Sequence, residues 1–257
     1  MLRTGTVVSV LIKTEEICCT YAAQWVGSQC AHRRGGDGKY ICCVLGRGSV
    51  YSSEVCDLQL CDEGVFPLAM SYVRTCLSLF PVRFDQMRLL GATCLFLASK
   101  MKNESPLSLS ILQRHTDYTV TSQQIKDWEL FVVKQLRWDL AIIIPHDFLD
   151  YILEREFFSL DLRPVFRKNA VAYLTLCCAN CNLCRFAPST IAGVCIAKAI
   201  SDSGYLVPPA DDFYTHLLSL TEATTDEFLA CKTAIENALC KEVQGDHTYF
   251  KSSYSNI

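Results

Sequence analysis

The sequence lacks the long apolar runs of a membrane protein and the basic excess of many nucleic-acid binders. No apolar run reaches the 18 or so residues that mark a membrane-spanning helix. The formal net charge is −3 over 257 residues, and a total of that sign gives no general attraction to nucleic acid. Half of the residues are apolar and a fifth are charged, which is typical of a globular protein with a well-filled core.

The spacing patterns of common catalytic and metal sites are also missing. The five histidines are scattered, and there is no P-loop, no G-x-S-x-G and no H-E-x-x-H. Cys178, Cys181 and Cys184 begin an iron–sulfur pattern, but its fourth position is Pro188 instead of cysteine. We therefore expect no catalytic residue, no metal and no cofactor, and we interpret the chain as a binding or regulatory module.

Sixteen cysteines are many for this length, but they do not resemble a disulfide framework. Most lie inside apolar helical patterns, where a free thiol acts as a small hydrophobic side chain; examples are Cys76, Cys94, Cys195 and Cys231. Such usage indicates a reducing compartment, so we expect the protein in the nucleus and the cytoplasm.

The apolar spacing changes near residue 54. Residues 1–53 have a glycine-rich, basic middle and no sustained helical period, so we interpret them as an atypical and poorly specified segment. From there the period is helical almost throughout. The pattern predicts an all-α protein with two successive groups of about five short helices, over 54–140 and 141–244, and a short tail at 245–257.

Capping residues predict several helix boundaries. Asp85 is the predicted N-cap of a helix that is apolar nearly all round, and Thr121 with Gln124 predicts a capping box for a later helix. Pro188 and Gly204 mark the start and the end of a second strongly apolar helix. Because a helix that is apolar on all sides is normally buried, each half has a predicted central helix.

Two charges fall on helix faces that the period predicts to be apolar. At 100° per residue, Lys100 lies near the line of Leu89 and Phe96. Glu129 lies about 40° from Ile125 on its own helical wheel. Two interpretations stay open. Either each charge reaches solvent from an ordinary helix surface, or the two line a groove between helices and orient a partner's helix.

Several stretches closely resemble the D-type cyclins, in the same order and spacing. They are "VFPLAMSYV", "LLGATCLFLASKMKNESPLS", "LQRHTDYTV", "WELFVVKQLRWDLA" and "PHDFLDYIL", followed by "RKNAVAYLTLCCAN" and "APSTIAGVCIAKAI". The resemblance covers about residues 54 to 242. It implies two consecutive five-helix cyclin folds, a cyclin box and a C-terminal cyclin domain. It also implies a regulatory subunit, not an enzyme, that activates a cyclin-dependent kinase of the four or six type and promotes the G1/S transition.

The resemblance further implies a kinase-binding interface. Cyclins present a lysine that ends the "ASK" motif, and a glutamate on a later helix, to the kinase's mobile regulatory helix. Those positions are Lys100 and Glu129 in this sequence. The neighbouring apolar contacts would fall on Met101, Val133 and Trp138. Kinase inhibitors are further candidate partners, whereas nucleic acid and membranes are not expected as partners.

Two motifs near the start depart from the D-type pattern. The residues before Glu54 read "LGRGSVYSS", where the family has a "MRAIL"-like first-helix stretch that docks substrates. The stretch "QLCDE" has Gln59 where the L-x-C-x-E motif for retinoblastoma pocket proteins requires leucine. The first helix of the cyclin box is therefore interpreted as atypical.

These departures leave alternatives to kinase activation. A cyclin-like module with an altered first helix would engage a kinase or an inhibitor without activating the kinase. A helical scaffold of the transcription-factor cyclin-fold kind is a third interpretation. The formal charge of −6 carried by residues 54–257 disfavours direct contact between such a scaffold and nucleic acid.

Overall fold

The structure is a computed structural model that describes residues 55–155, 161–178, 180–204 and 210–252. Every regular element in these residues is helical, so the predicted all-α class is confirmed. The segment 1–53, interpreted above as atypical, lies outside the described residues.

The helices up to Ala141 belong to one compact unit. They are α1 (Val65–Leu79), α2 (Met87–Lys102), α3 (Leu109–His115) and α4 (Ser122–Gln135). Residues 55–58 are helical and precede α1, and a 3₁₀ turn, Phe84–Gln86, leads into α2.

A second compact unit begins at Ile142. Its helices are α5 (Leu149–Arg155), α6 (Arg163–Cys178), α7 (Pro188–Asp202), α8 (Ala210–Thr221) and the first part of α9 (Thr225–Ser252), with 3₁₀ turns at Pro145–Phe148 and Cys181–Arg185. The described residues from Ala238 onward are assigned to the first unit. The domain limits 54–140, 141–244 and 245–257 stay predictions.

α2 is the central helix of the first unit, as its apolar sequence predicts. Every residue from Leu89 to Ser99 is buried, and the helix packs against α1 and α4. The buried hydroxyl of Thr93 donates to the Leu89 carbonyl at 2.7 Å. Ser99 donates to the Phe96 carbonyl at 2.7 Å and accepts from the Leu107 N–H at 3.1 Å. These bonds satisfy the polar groups that such burial would otherwise leave unpaired.

α7 is the corresponding buried helix of the second unit. It begins at Pro188, and just past its end Gly204 has a φ of +69°, a conformation that glycine adopts without a steric penalty. Gly193 lies where α7 approaches α8, because a Cβ at this position would come 2.7 Å from the Thr221 Cγ2. The close approach of these two helices therefore depends on the missing side chain.

The start of α2 differs from the sequence prediction. Asp85 is not the N-cap: it lies within the 3₁₀ turn, and α2 begins at Met87 with Gln86 at the N-cap position. The Asp85 carboxylate instead accepts hydrogen bonds from the guanidinium of Arg83 at 2.6 and 3.0 Å. The prediction was wrong because a neighbouring cation takes the carboxylate that would otherwise cap the free amides of the first turn.

Candidate functional site

The last turn of α2 and the middle of α4 bring the two unusual charges together. The Nζ of Lys100 lies 2.5 Å from the Oε1 of Glu129. The lysine side chain is 39% exposed and the glutamate side chain 23%, so the pair lies at the edge of the helix packing and not in the core. Lys100 reaches solvent from the end of its helix, as the first interpretation states, and it also pairs with Glu129. The second interpretation, in which the two charges orient a partner's helix, stays a prediction.

The residues beneath Lys100 set its direction. Leu89 and Phe96, on the same line of α2, are buried, and the Lys100 Nζ lies 4.2 Å from the centroid of the Phe96 ring. This distance is within the range of a cation–π interaction. An ion pair at the surface contributes only about 0–1 kcal/mol to folding. Folding stability therefore accounts for little of this arrangement.

The start of α4 fixes the direction of Glu129. The predicted capping box is confirmed: the Gln124 N–H donates to the Thr121 hydroxyl at 3.2 Å, and the Thr121 N–H donates to the Gln124 side-chain oxygen at 2.8 Å. Further along the helix, Ile125 and Val132 are buried. The cap and this buried stripe leave Glu129 on the side of α4 that meets the end of α2.

The three apolar residues assigned to the interface differ in exposure. Met101 is 46% exposed and Trp138 is 70% exposed, whereas Val133 is only 5% exposed. Val133 therefore packs into the core of the first unit, next to the site and not on its open surface. The assignment of Lys100, Glu129 and these three residues to a kinase interface stays a prediction.

Trp138 is presented by an unusual backbone turn. Arg137 and Trp138 have φ values of +54° and +64°, and the Trp138 N–H donates to the Val133 carbonyl at 3.0 Å. Side-chain-bearing residues in this left-handed region cost of order 1–3 kcal/mol each. Sequence reasoning missed this turn because helix ends of this type are usually marked by glycine, and here the chain reads "LRWD".

Two further apolar residues of α4 are exposed, and sequence reasoning missed them too. Leu130 and Phe131 follow Glu129 on α4 and are both exposed. The Phe131 ring meets the ring of Phe80 edge-on, with centroids 5.0 Å apart. A signal was present: residues 130–133 are four consecutive apolar residues, and such a run is too wide for one buried helix face.

The described residues were also compared with what a metal site or a membrane span requires. No group of three or more His, Cys, Asp or Glu among them is placed to hold a metal ion. Of the cysteine run considered above, Cys178 is buried and Cys184 is exposed. No helix in the described ranges is long and apolar enough to cross a membrane.

Comparisons with known proteins agree on one family, the cyclins. The cyclin N-terminal domain family matches residues 51–141. The chain is 40% identical over 186 residues to human G1/S-specific cyclin-D3, a match that covers 72% of this chain and 64% of the relative. It is 36% identical over 195 residues to G1/S-specific cyclin-D2 of Xenopus laevis, covering 74% of this chain and 67% of the relative. The chain thus spans about two thirds of the length of these relatives.

A solved structure gives the same fold. The chain superposes on a viral cyclin from herpesvirus saimiri with a TM-score of 0.69, covering 81% of this chain and 88% of that chain. The sequence identity between the two is 17%, so this likeness concerns the fold alone.

Proposed function

Since the chain belongs to the D-type cyclins, we propose that it is the regulatory subunit of a cyclin-dependent kinase and promotes the G1/S transition. The observation that carries the proposal is the Lys100–Glu129 pair between α2 and α4. Met101, which follows Lys100 in the chain, and Trp138, just past the end of α4, are both exposed. We further propose a kinase of the four or six type, kinase inhibitors as additional partners, and action in the nucleus and the cytoplasm.

The proposed surface acts by packing on the mobile regulatory helix of the kinase. The exposed side chains of Met101, Leu130 and Trp138 offer apolar area whose burial favours association. The charges of Lys100 and Glu129 contribute orientation more than affinity. A protein kinase is active when its own Lys–Glu ion pair and its activation loop are in place. A cyclin docked on the regulatory helix holds both in position, and the cyclin chain itself carries out no chemical step.

Val133 has an indirect part in this proposal. It is buried, so a kinase meets the surface that Val133 supports and not its side chain. Its carbonyl accepts the Trp138 N–H, and this bond helps to hold the exposed indole in place.

Co-purification with each kinase, followed by phosphorylation of a retinoblastoma-type substrate, tests the proposal. The double variant Lys100→Glu, Glu129→Ala places an unpaired, reversed charge in the contact and should weaken kinase binding by about 2–5 kcal/mol. Phosphorylation should fall with binding. Wild-type binding and phosphorylation in this variant would remove the interface assignment.

The second unit provides a matched control. Lys198 forms a similar surface ion pair with Asp202 at 2.8 Å, with side chains 27% and 39% exposed. Lys198→Glu breaks a pair of the same kind outside the proposed interface, so kinase binding should stay at the wild-type level. Loss of binding in both variants would indicate a general effect of charge or folding.

A second candidate function is a cyclin-like module that binds a kinase or an inhibitor without activating the kinase. The observation that favours it is the stretch "LGRGSVYSS" before Glu54, where D-type cyclins have their substrate-docking first-helix motif. The same assay separates the two functions. A complex that co-purifies in stoichiometric amounts but phosphorylates no substrate would favour the second, and grafting a D-type first helix should then restore phosphorylation.

A further inference from the structure

Two cysteines near the start of the described residues face each other across one tight turn. Cys56 lies within the helical residues 55–58, and the Cys61 N–H donates to the Cys56 carbonyl at 3.0 Å. Leu60 lies in this turn with a φ of +50°, a left-handed conformation that residues with side chains rarely adopt. The side chains of the two cysteines are also hydrogen-bonded to each other. Backbone and side-chain contacts thus hold the two sulfurs side by side.

The two thiols differ in acidity. The hydrogen bond from Cys56 lowers the pKa of Cys61 to about 7; partial burial opposes this shift, and a second hydrogen bond from Asn103 supports it. The carboxylates of Asp57 and Asp62 also oppose it without cancelling it. The same thiol–thiol hydrogen bond, followed by burial, raises the pKa of Cys56. At neutral pH, Cys61 is therefore far more often a thiolate than an ordinary cysteine is, and Cys56 is the thiol that donates to it.

Asn103 ties this turn to the end of α2. It is the C-cap residue of that helix, and its N–H donates to the Ser99 carbonyl at 3.0 Å. Its side-chain oxygen accepts from the Asp62 N–H at 2.9 Å, while the side chain also bonds the Cys61 sulfur. The Cys61 sulfur therefore has two hydrogen-bond donors, one of them from the residue that ends α2.

Two other cysteine pairs among the described residues lack this combination of features. Cys76 and Cys94 are both buried. Cys177 and Cys195 are buried as well, with their sulfurs 4.0 Å apart. Cys61 is half-buried, so a small oxidant in solvent reaches its sulfur more readily than theirs.

We propose that Cys56 and Cys61 form a modification site at which hydrogen peroxide oxidises Cys61 and Cys56 converts the product to a disulfide. In the first step the Cys61 thiolate attacks one peroxide oxygen, an S–O bond forms and the O–O bond breaks. The sulfur loses two electrons, and the departing hydroxide takes up a proton to become water.

The second step consumes the sulfenic acid. The Cys56 sulfur attacks the Cys61 sulfur, an S–S bond replaces the S–O bond, and hydroxide leaves with the Cys56 proton as a second water. Two thiols and one peroxide thus give one disulfide and two waters. The site is independent of kinase binding, so its test does not depend on the function proposed above.

Peptide mass spectrometry of the intact, peroxide-treated chain tests the proposal. Tryptic cleavage after Arg47 and Arg74 releases peptide 48–74, whose cysteines are Cys56 and Cys61 alone. After alkylation of the remaining free thiols, this peptide should be two hydrogens lighter than its reduced form and carry no alkyl group. Peptide 233–241 contains only Cys240, which is exposed, and serves as an internal control for general oxidation. Oxidation of peptide 48–74 should be about fivefold faster than that of Cys240 at pH 7.

Two variants separate the roles of the cysteines. Cys56→Ser should stop the reaction at a Cys61 sulfenic acid that dimedone traps, and Cys61→Ser should leave Cys56 unoxidised. Circular dichroism should be used to check that each variant is folded. The mass-spectrometric result on the wild-type chain tests the proposal even if a variant fails to fold. Three results would overturn the proposal: oxidation of peptide 48–74 no faster than that of Cys240, its cross-linking to other peptides, or continued oxidation of Cys56 in Cys61→Ser.

Discussion

The carboxylate of Glu129 on α4 contacts the ammonium of Lys100 on α2, so each of these charges has its partner within the chain. A kinase that binds at this surface therefore meets an ion pair already formed, and not two unsatisfied charges. A preformed pair loses less conformational freedom on binding than two independent side chains would.

Exchanging the two charges separates a structural role from a binding role. Lys100→Glu alone places two carboxylates together and should lower the free energy of unfolding by up to about 1 kcal/mol. Adding Glu129→Lys restores an opposite pair and should recover most of that loss. Kinase binding should stay weak in the double variant, because the partner meets reversed charges. Urea unfolding measures the stability, and co-purification measures kinase binding. If the double variant recovered both stability and kinase binding, the pair would act only within the chain.

Trp138 and Val133 should respond in opposite ways to truncation. Trp138 is exposed, so Trp138→Ala should change the free energy of unfolding by only about 0.5 kcal/mol but weaken kinase binding by about 2 kcal/mol or more. Val133 is buried, so Val133→Ala should cost about 2 kcal/mol of stability. Leu229 is an exposed apolar residue of the second unit, and Leu229→Ala should change neither quantity. A kinase affinity unaffected by Trp138→Ala would remove the indole from the interface.

The two helical glycines should give opposite results when changed to alanine. In Gly193→Ala, the new methyl group would meet the Thr221 Cγ2 at 2.7 Å, and the Thr221 hydroxyl is held by the Leu217 carbonyl. Such overpacking typically costs about 1–3 kcal/mol. Around Gly91, no side chain or other element lies within 4 Å of the Cβ position apart from its chain neighbours, so Gly91→Ala should stabilise the protein by about 0.5–1 kcal/mol. Thermal unfolding distinguishes these outcomes, and a rise in Tm for both variants would contradict the close approach of α7 and α8.

The capping box of α4 should be measurable by a pair of substitutions at one position. Thr121→Val keeps the shape of the side chain but removes the oxygen that accepts the Gln124 N–H, so it should cost about 1 kcal/mol. Thr121→Ser keeps that oxygen and should cost much less. Urea unfolding of both variants provides the comparison, and an unchanged free energy of unfolding in Thr121→Val would show that the cap contributes nothing to stability.

Asp202 should make stability depend on pH in the acid range. Burial alone raises the pKa of this carboxyl, but hydrogen bonds from Lys198 and Tyr173 outweigh burial and hold the pKa below its usual value of 3.8. A carboxyl whose folded pKa is depressed stabilises the protein above the unfolded pKa, and this contribution is lost as the pH falls through the folded pKa. The Tm difference between wild type and Asp202→Asn should therefore be largest above the usual carboxyl pKa of 3.8 and should shrink as the pH falls below it. A difference that stays constant with pH would show that charge plays no part.

Local patterns in the sequence predicted the helices well where one segment contains all the interacting groups. The Thr121 capping box lies within four residues, and the burial of α2 follows from the apolar character of every face of that helix. The same reasoning gave a wrong prediction for Asp85, because two interactions compete for its carboxylate. A carboxylate can cap a helix N-terminus, but here it accepts a hydrogen bond from the neighbouring Arg83 instead. Capping preferences alone do not include this alternative partner.

The candidate site needed information that no single segment carries. Periodicity placed Lys100 and Glu129 on unusual faces, but only packing of α2 against α4 shows that these faces meet. The exposure of Trp138 depends on positive φ values at two residues without glycine, and the surrounding structure imposes these values against local preference. The burial of Val133 could be predicted, since it lies on the apolar stripe of α4, yet the family resemblance placed it among the contact residues.

The burial of α2 also determines how the candidate site moves. Amide hydrogens in a segment as enclosed as Leu89–Ser99 exchange with solvent only when a large cooperative part of the protein opens. Lys100 and Met101 continue that segment without a break in the helix. Their backbone is therefore tied to the slowest-exchanging part of the first unit, and a partner that docks there pays little to order it.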